Sequence, residues 1–119
     1  MLTENDISRL EQIIGYKFKD KALIIEALTH SSYVNEHKIN KKHDYERLEF
    51  LGDAILEMIS SEYLFKTFPD KKEGEMSKIR AALVCEPALY HDSLQIDLKS
   101  YIQLGKGEEA TGGRNKESI

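Results

Sequence analysis

Glu46, Glu49, Asp53 and Glu57 are the residues in this chain best placed to do chemistry. From Glu46 they fall at offsets 0, 3, 7 and 11, which on a helix turning about 100° per residue gathers all four within roughly 80° of arc. Within that helix no Lys or Arg lies three or four residues from any of them. Glu49 and Asp53 face each other at a spacing that costs an isolated helix about a few tenths of a kcal/mol. Solvated faces usually interleave their charges; this one is uniformly acidic. Spacing alone leaves two readings open, an acidic outer face on an ordinary helical domain or a cation site. With oxygen donors only, no nearby cysteine and no histidine on the stripe, a cation there would be magnesium or manganese rather than zinc. Such an ion polarises a phosphoryl oxygen and supplies a hydroxide nucleophile. Two neighbours on the same stretch are also out of place. Gly52 costs about 1 kcal/mol relative to alanine inside a helix, which predicts a close approach to its backbone. Phe50 projects among the acids rather than with the apolar residues, which predicts a partner surface.

The element carrying the acids is the central one. Asp44 opens a long helical pattern to about Thr67, with Leu48, Leu51, Ile55, Met58 and Ile59 as its apolar stripe and Phe68-Pro69-Asp70 as its stop. Before it, Thr3 and Asp6 form a capping arrangement ahead of Ile7, Leu10, Ile13 and Ile14, predicting a helix over 4–14 that stops at Gly15. Asp20 caps a second helix that ends near Thr29-His30-Ser31-Ser32. Asn35 to His43, with Lys38, Lys41 and Lys42, reads as a solvated loop. Downstream, helices are predicted from about Glu75 to Val84 and again from Glu86-Pro87, proline taking its favoured first-turn position. A short segment around Tyr101, Ile102 and Leu104 leads to a loop from Gly105 to Gly113. That loop is not a phosphate cradle, because no Ser or Thr follows Lys106 and no strand precedes it. Arg114 to Ile119 reads as the first turn of a helix whose body is absent, and an isolated turn is costly to nucleate. The class is all-α with about six helices, without internal repeats.

The chain has 119 residues, 40% hydrophobic and 32% charged, which bounds it to one domain with a modest core. Its apolar runs are far shorter than the roughly 20 residues of a membrane span, so no membrane partner is expected. A single cysteine, Cys85, predicts a reducing, cytoplasmic setting and a plain core role for that side chain. The formal charge of −4 is the wrong sign for gripping nucleic acid through phosphate neutralisation alone. The objection weakens if the carboxylates hold divalent cations, whose charge inverts the local sign.

The residues from Glu46 to Leu56, Glu-Arg-Leu-Glu-Phe-Leu-Gly-Asp-Ala-Ile-Leu, resemble the signature stretch of the ribonuclease III family almost letter for letter. The similarity extends to Ala27-Leu28-Thr29-His30-Ser31-Ser32-Tyr33, to Glu73-Gly74-Glu75-Met76-Ser77-Lys78-Ile79-Arg80-Ala81, to Leu104-Gly105-Lys106-Gly107-Glu108 and to Gly112-Gly113-Arg114. It covers essentially the whole chain. The resemblance implies an all-helical endonuclease domain over residues 1–119 that forms a homodimer. It implies hydrolysis of double-stranded RNA with Mg2+, for which Mn2+ substitutes, to 5′-phosphate and 3′-hydroxyl ends, in the processing of rRNA, tRNA and mRNA precursors. It further implies that Glu49 binds the metal, that Asp53 is both the catalytic aspartate and a metal neighbour, that Glu46 and Glu73 are supporting acids of the cleft, and that Phe50 is the dimer knob.

The same resemblance implies pieces that these residues do not contain. The family's remaining inner Asp and Glu fall on the next helix, past Ile119, and its double-stranded-RNA-binding domain follows later. Taken alone, the chain is therefore expected to hold metal weakly and to cleave little or nothing. A competing reading is a catalytically inactive RNA- or ribosome-binding module of the same fold. Retention of Glu46, Glu49, Asp53 and Glu73 together favours the enzyme.

Overall fold

The computed structural model describes residues 2–38 and 43–119. Its helices are α1 (Glu4–Ile14), α2 (Lys21–Ala27), α3 (Ser31–Glu36), α4 (Glu46–Thr67), α5 (Glu73–Val84), α6 (Glu86–Gln95) and α7 (Lys106–Ala110), with 3₁₀ turns at Leu98–Tyr101 and Gly113–Asn115. Among the described residues there is no strand, only one isolated parallel bridge between Thr29 and Gln103. None of these helices is long and apolar enough to cross a membrane.

Local chemistry accounts for the boundaries. Thr3 Oγ1 accepts from the Asp6 N–H while Asp6 Oδ2 accepts from the Thr3 N–H, a reciprocal cap that satisfies two orphan donors of α1. Gly15 closes that helix at φ 70°, a left-handed conformation that an L side chain resists. Asp20 caps α2 through the Ala22 N–H at 3.0 Å, and Pro87 stands in the first turn of α6.

The buried core is small. Leu10 of α1, Leu28 after α2 and Tyr101 of the first 3₁₀ turn form its centre, with Leu2, Ile24, Leu98 and Ile102 packed around them. The α4–α5 pair extends away from this core: the molecule measures 51 × 30 × 25 Å, with a radius of gyration of 16.4 Å where a compact chain of this length would have about 13–14 Å. Only Leu64 of α4 is buried. The predicted stripe runs along the helix, but Leu51, Ile55, Met58 and Ile59 are exposed, Met58 by 63%. A helical period announces a face to be covered; it does not say that the same chain covers it.

Several expectations require correction. Cys85 is exposed, not in the core. It is the extended residue between α5 and α6, and its thiol turns back to the Ala82 carbonyl at 3.5 Å. The helix begun by Asp20 ends at Ala27 with Leu28 as its cap, just before the expected Thr29-His30-Ser31-Ser32. A separate α3 then takes in Asn35 and Glu36, because His30 Nδ1 accepts from the Ser32 N–H and caps a new turn. Of the predicted loop lysines, Lys38 lies just past α3, whereas Lys41 and Lys42 fall outside the described residues. The segment from Gly105 to Gly113 is not a loop: it contains α7, too short to show a period in sequence, whose Glu108 and Glu109 pair with Lys116 and Arg114. Arg114 to Asn115 form a 3₁₀ turn and Lys116 is extended, so no α-helical turn begins there.

The core predicts its own test. Leu10→Ala, at a site only 2% exposed, should lower the unfolding free energy by about 2–5 kcal/mol in denaturant titrations. Leu23→Ala, at an exposed position, should change it by no more than about 0.5 kcal/mol.

Candidate functional site

The start of α4 is held by two contacts from outside the helix. Asp44, itself buried, accepts the Glu46 N–H at 3.0 Å, and the Tyr45 N–H donates to the Thr29 carbonyl at 2.9 Å. Each removes one of the orphan donors that every helix N-terminus carries. Glu46 and Glu49 then occupy the first turn, where the helix dipole favours negative charge.

Glu49 and Asp53 line one cleft of about 420 Å³ together with Tyr45. Leu89, Tyr90 and Ser93 of α6 form its floor, and Lys99, Ile102, Arg114, Lys116 and Glu117 form its far wall. Among the described residues neither Glu49 nor Asp53 makes an ion pair, although three cationic side chains line the same cleft. Those cations are engaged elsewhere. Arg114 Nη1 donates to the Lys99 and Ile102 carbonyls at 2.6 and 2.8 Å, and its remaining nitrogens grip Glu109. Lys116 pairs with Glu108 at 2.9 Å, and Lys99 donates to Asn115 Oδ1 at 3.1 Å. The α4 wall is thus an uncompensated pair of oxygen donors. Its field is felt by Tyr45, whose phenol is pushed above its ordinary range by burial first and then by the negative charges of Glu49, Glu46, Asp44 and Glu108.

The other predicted site residues lie elsewhere on the surface. Glu46 borders a neighbouring hollow with Glu26, Arg47, Leu48, Phe50 and Leu51. Phe50 is 83% exposed. Glu73 opens α5 beside the far end of α4, in a groove with Phe65, Met76 and Arg80, and accepts a hydrogen bond from Ser77 at 2.8 Å. From Glu49 to Thr67 along α4 is about 27 Å at about 1.5 Å per residue, so within one chain Glu73 does not reach the cleft. Among the described residues nothing lies within 4 Å of where a Gly52 side chain would begin, so none of them makes the close approach expected there.

Tyr45, Lys99 and Arg114 are cleft residues that the sequence reading did not single out as site residues. The first could have been found from its position before the first acid of the stripe. In sequence Arg114 stands out only as part of the Gly112-Gly113-Arg114 resemblance, because its role depends on carbonyls at residues 99 and 102 that only the fold brings near.

Among the described residues no three His, Cys, Asp or Glu side chains gather to hold a metal. The donor set nonetheless fits magnesium, which is bound by one or two carboxylates with water and substrate phosphate completing its shell, and does not fit zinc. Fold and site together describe an all-helical domain with two adjacent oxygen donors, Glu49 and Asp53, in one cleft. The Ribonuclease-III-like family model matches residues 20–119, and the chain belongs to that family. It is 52% identical to Ribonuclease 3 of Oceanobacillus iheyensis over 96% of this chain and 50% of that protein, and 53% identical to Ribonuclease 3 of Caldanaerobacter subterraneus over 95% and 49%. The chain therefore spans about half the length of these relatives. The nuclease domain of ribonuclease III from Campylobacter jejuni shares the fold, with a TM-score of 0.85 at 45% identity over 94% of this chain and 74% of that one. In that protein a region involved in dimer formation is structurally flexible.

The latch on the far wall is acid-sensitive. The Arg114 hydrogen bonds hold the Glu109 carboxyl below its ordinary value of 4.5. A depressed folded pKa gives stability that is present above the unfolded value and lost as pH falls through the folded one. Hydrogen-exchange protection of the Lys116 amide, which donates to Gly113, should hold at neutral pH and decline in acid below that value, and Glu109→Gln should show the low protection at pH 7.

Proposed function

We propose that this chain is the nuclease domain of a magnesium-dependent endoribonuclease that hydrolyses double-stranded RNA as a homodimer, leaving 5′-phosphate and 3′-hydroxyl ends. On this reading it works in the cytoplasm on rRNA, tRNA and mRNA precursors, and manganese can replace magnesium. The supporting observation is the Glu49–Asp53 pair, two adjacent carboxylates that make no ion pair among the described residues, in a cleft where Arg114 and Lys116 are paired with Glu109 and Glu108.

A bound divalent cation would polarise the scissile phosphate and lower the pKa of a bound water. Glu49 and Asp53 would hold it from one helix face, and their relative placement is set by the backbone of α4. Asp53 is also the catalytic carboxylate, one turn farther along α4 on the same cleft. On the far wall Lys99, which among the described residues bonds only the neutral Asn115 amide, is the cation available to the phosphate backbone. The guanidinium of that wall, Arg114, stays tied to carbonyls rather than to substrate.

A second copy accounts for three features that one chain leaves unexplained. Phe50 is a large apolar side chain exposed by 83%, Gly52 beside it is open to close approach, and Glu73 is one α4 length away from the carboxylates it would support. Antiparallel pairing of two α4 faces about a two-fold axis would insert each Phe50 into the other protomer. It would also carry each Glu73 toward the other's cleft, with Glu46 at its margin.

Asp53→Asn should reduce cleavage of a labelled RNA duplex on the order of 10³-fold, the worth of several kcal/mol of transition-state stabilisation, while duplex binding persists in gel shifts. A mutant that cuts normally removes Asp53 from the mechanism. In full-length protein, which both readouts use, a wild type that binds duplex RNA but never cuts it, with or without magnesium, would instead mark a binding module. Phe50→Ala should weaken self-association by roughly 30-fold or more in sedimentation experiments, as loss of an aromatic anchor does.

A further inference from the structure

We infer that Gln103 is a positioning residue, which fixes the two walls of the Glu49–Asp53 cleft at one separation. The inference rests on the cleavage reading above for its effect on rate, but the clamp itself rests on geometry.

Gln103 uses both ends of its backbone and both ends of its side chain. Its N–H donates to the Leu28 carbonyl at 2.7 Å, and its carbonyl accepts from the His30 N–H at 3.0 Å. Its Nε2 donates to Thr29 Oγ1 at 2.9 Å, and its Oε1 accepts from the Leu2 N–H at 3.0 Å. Thr29 is the residue whose carbonyl receives the Tyr45 N–H and so fixes where α4 begins. His30 sets its ring edge-on to Tyr45, with centroids 5.8 Å apart. From Gln103 the path to the carboxylate wall is therefore one residue long. On the other side, Ile102 offers its carbonyl to Arg114, which carries the far wall. One bond path between the walls passes through this glutamine; a second runs from His30 through Ser32 Oγ and the Gly105 N–H to α7 and its Glu109–Arg114 pair.

The surrounding apolar residues do not duplicate this job. Leu28, Tyr101, Leu2 and Ile102 form or flank the core, and such contacts tolerate sliding that directional hydrogen bonds do not. A glutamine among them specifies register. Glu49 and Asp53 both lie on α4, so their mutual geometry does not depend on wall separation, whereas a change in separation misplaces the phosphate held between the walls. Geometric error of this kind appears in kcat, because it is felt most in the transition state.

The test uses full-length protein and three variants: Gln103→Leu, which keeps the bulk and removes both side-chain bonds, Thr29→Val, which removes the acceptor of one, and Thr29→Ser, which restores it. The expected result is a kcat on a labelled RNA duplex reduced about tenfold in the first two with KM within about twofold, and recovery in Thr29→Ser. Hydrogen exchange of the Tyr45 amide should be about tenfold faster in Gln103→Leu. A normal kcat in Gln103→Leu, or losses that vanish on cooling in step with a lowered Tm, would overturn the inference. If Gln103→Leu does not fold, the Thr29 pair decides. If wild-type protein never cuts, the cleavage reading falls, while Tyr45 exchange still tests the clamp, and unchanged exchange refutes it.

Discussion

The cleft depends on where α4 begins. The helix is 22 residues long, and a shift of one residue at its start would rotate every carboxylate by about 100°. Two hydrogen bonds prevent that: Asp44 onto the Glu46 N–H, and the Tyr45 N–H onto the Thr29 carbonyl. The second ties α4 to the bridge between Thr29 and Gln103, and through it to the core of Leu10, Leu28 and Tyr101. The acids are thus positioned by a small apolar cluster that none of them touches.

The same arrangement explains the far wall. Gly105 follows the bridge, and a side chain there would begin 2.7 Å from the Ser32 carbonyl oxygen, so glycine is required for α7 to dock on α3. The Gly105 N–H meets Ser32 Oγ, and the Lys106 N–H meets Glu36. With α7 seated, Glu108 and Glu109 consume Lys116 and Arg114. An acidic helix of five residues thereby keeps the cationic wall from neutralising Glu49 and Asp53. In a chain of net charge −4, that local pairing decides the character of the cleft more than the overall balance does.

Much of this was legible in the residues. α1, α2 at its start, α4 and α6 carry caps or stops made by adjacent residues, and such signals are local. The acid stripe was legible for the same reason, since four side chains on one helix share a face wherever that helix packs. What sequence did not disclose was non-local. α7 is held by residues 108–116 pairing across a turn, and Cys85 is exposed because two helices meet there at an extended residue. Gln103 looked like one polar letter between Ile102 and Leu104. Whether Glu46 and Glu73 share the cleft is a question about assembly, which no single-chain pattern can answer.

The long helix carries two unfavourable features on adjacent faces, and their coincidence is itself informative. Leu51, Ile55, Met58 and Ile59 are exposed apolar area, each costing on the order of 1 kcal/mol in water. Glu49 and Asp53 repel each other with no counter-charge. A monomer could relieve the first by replacing leucines and the second by a lysine one turn away, and this helix does neither. Stability alone would remove both features; binding requires both. On the proposed reading the apolar face is relieved by a second protomer and the acidic face by a cation. Because Phe50 lies between Glu49 and Asp53 in sequence, the two relieving contacts are forced to lie within one turn of each other, so assembly and metal binding meet at the same stretch of helix.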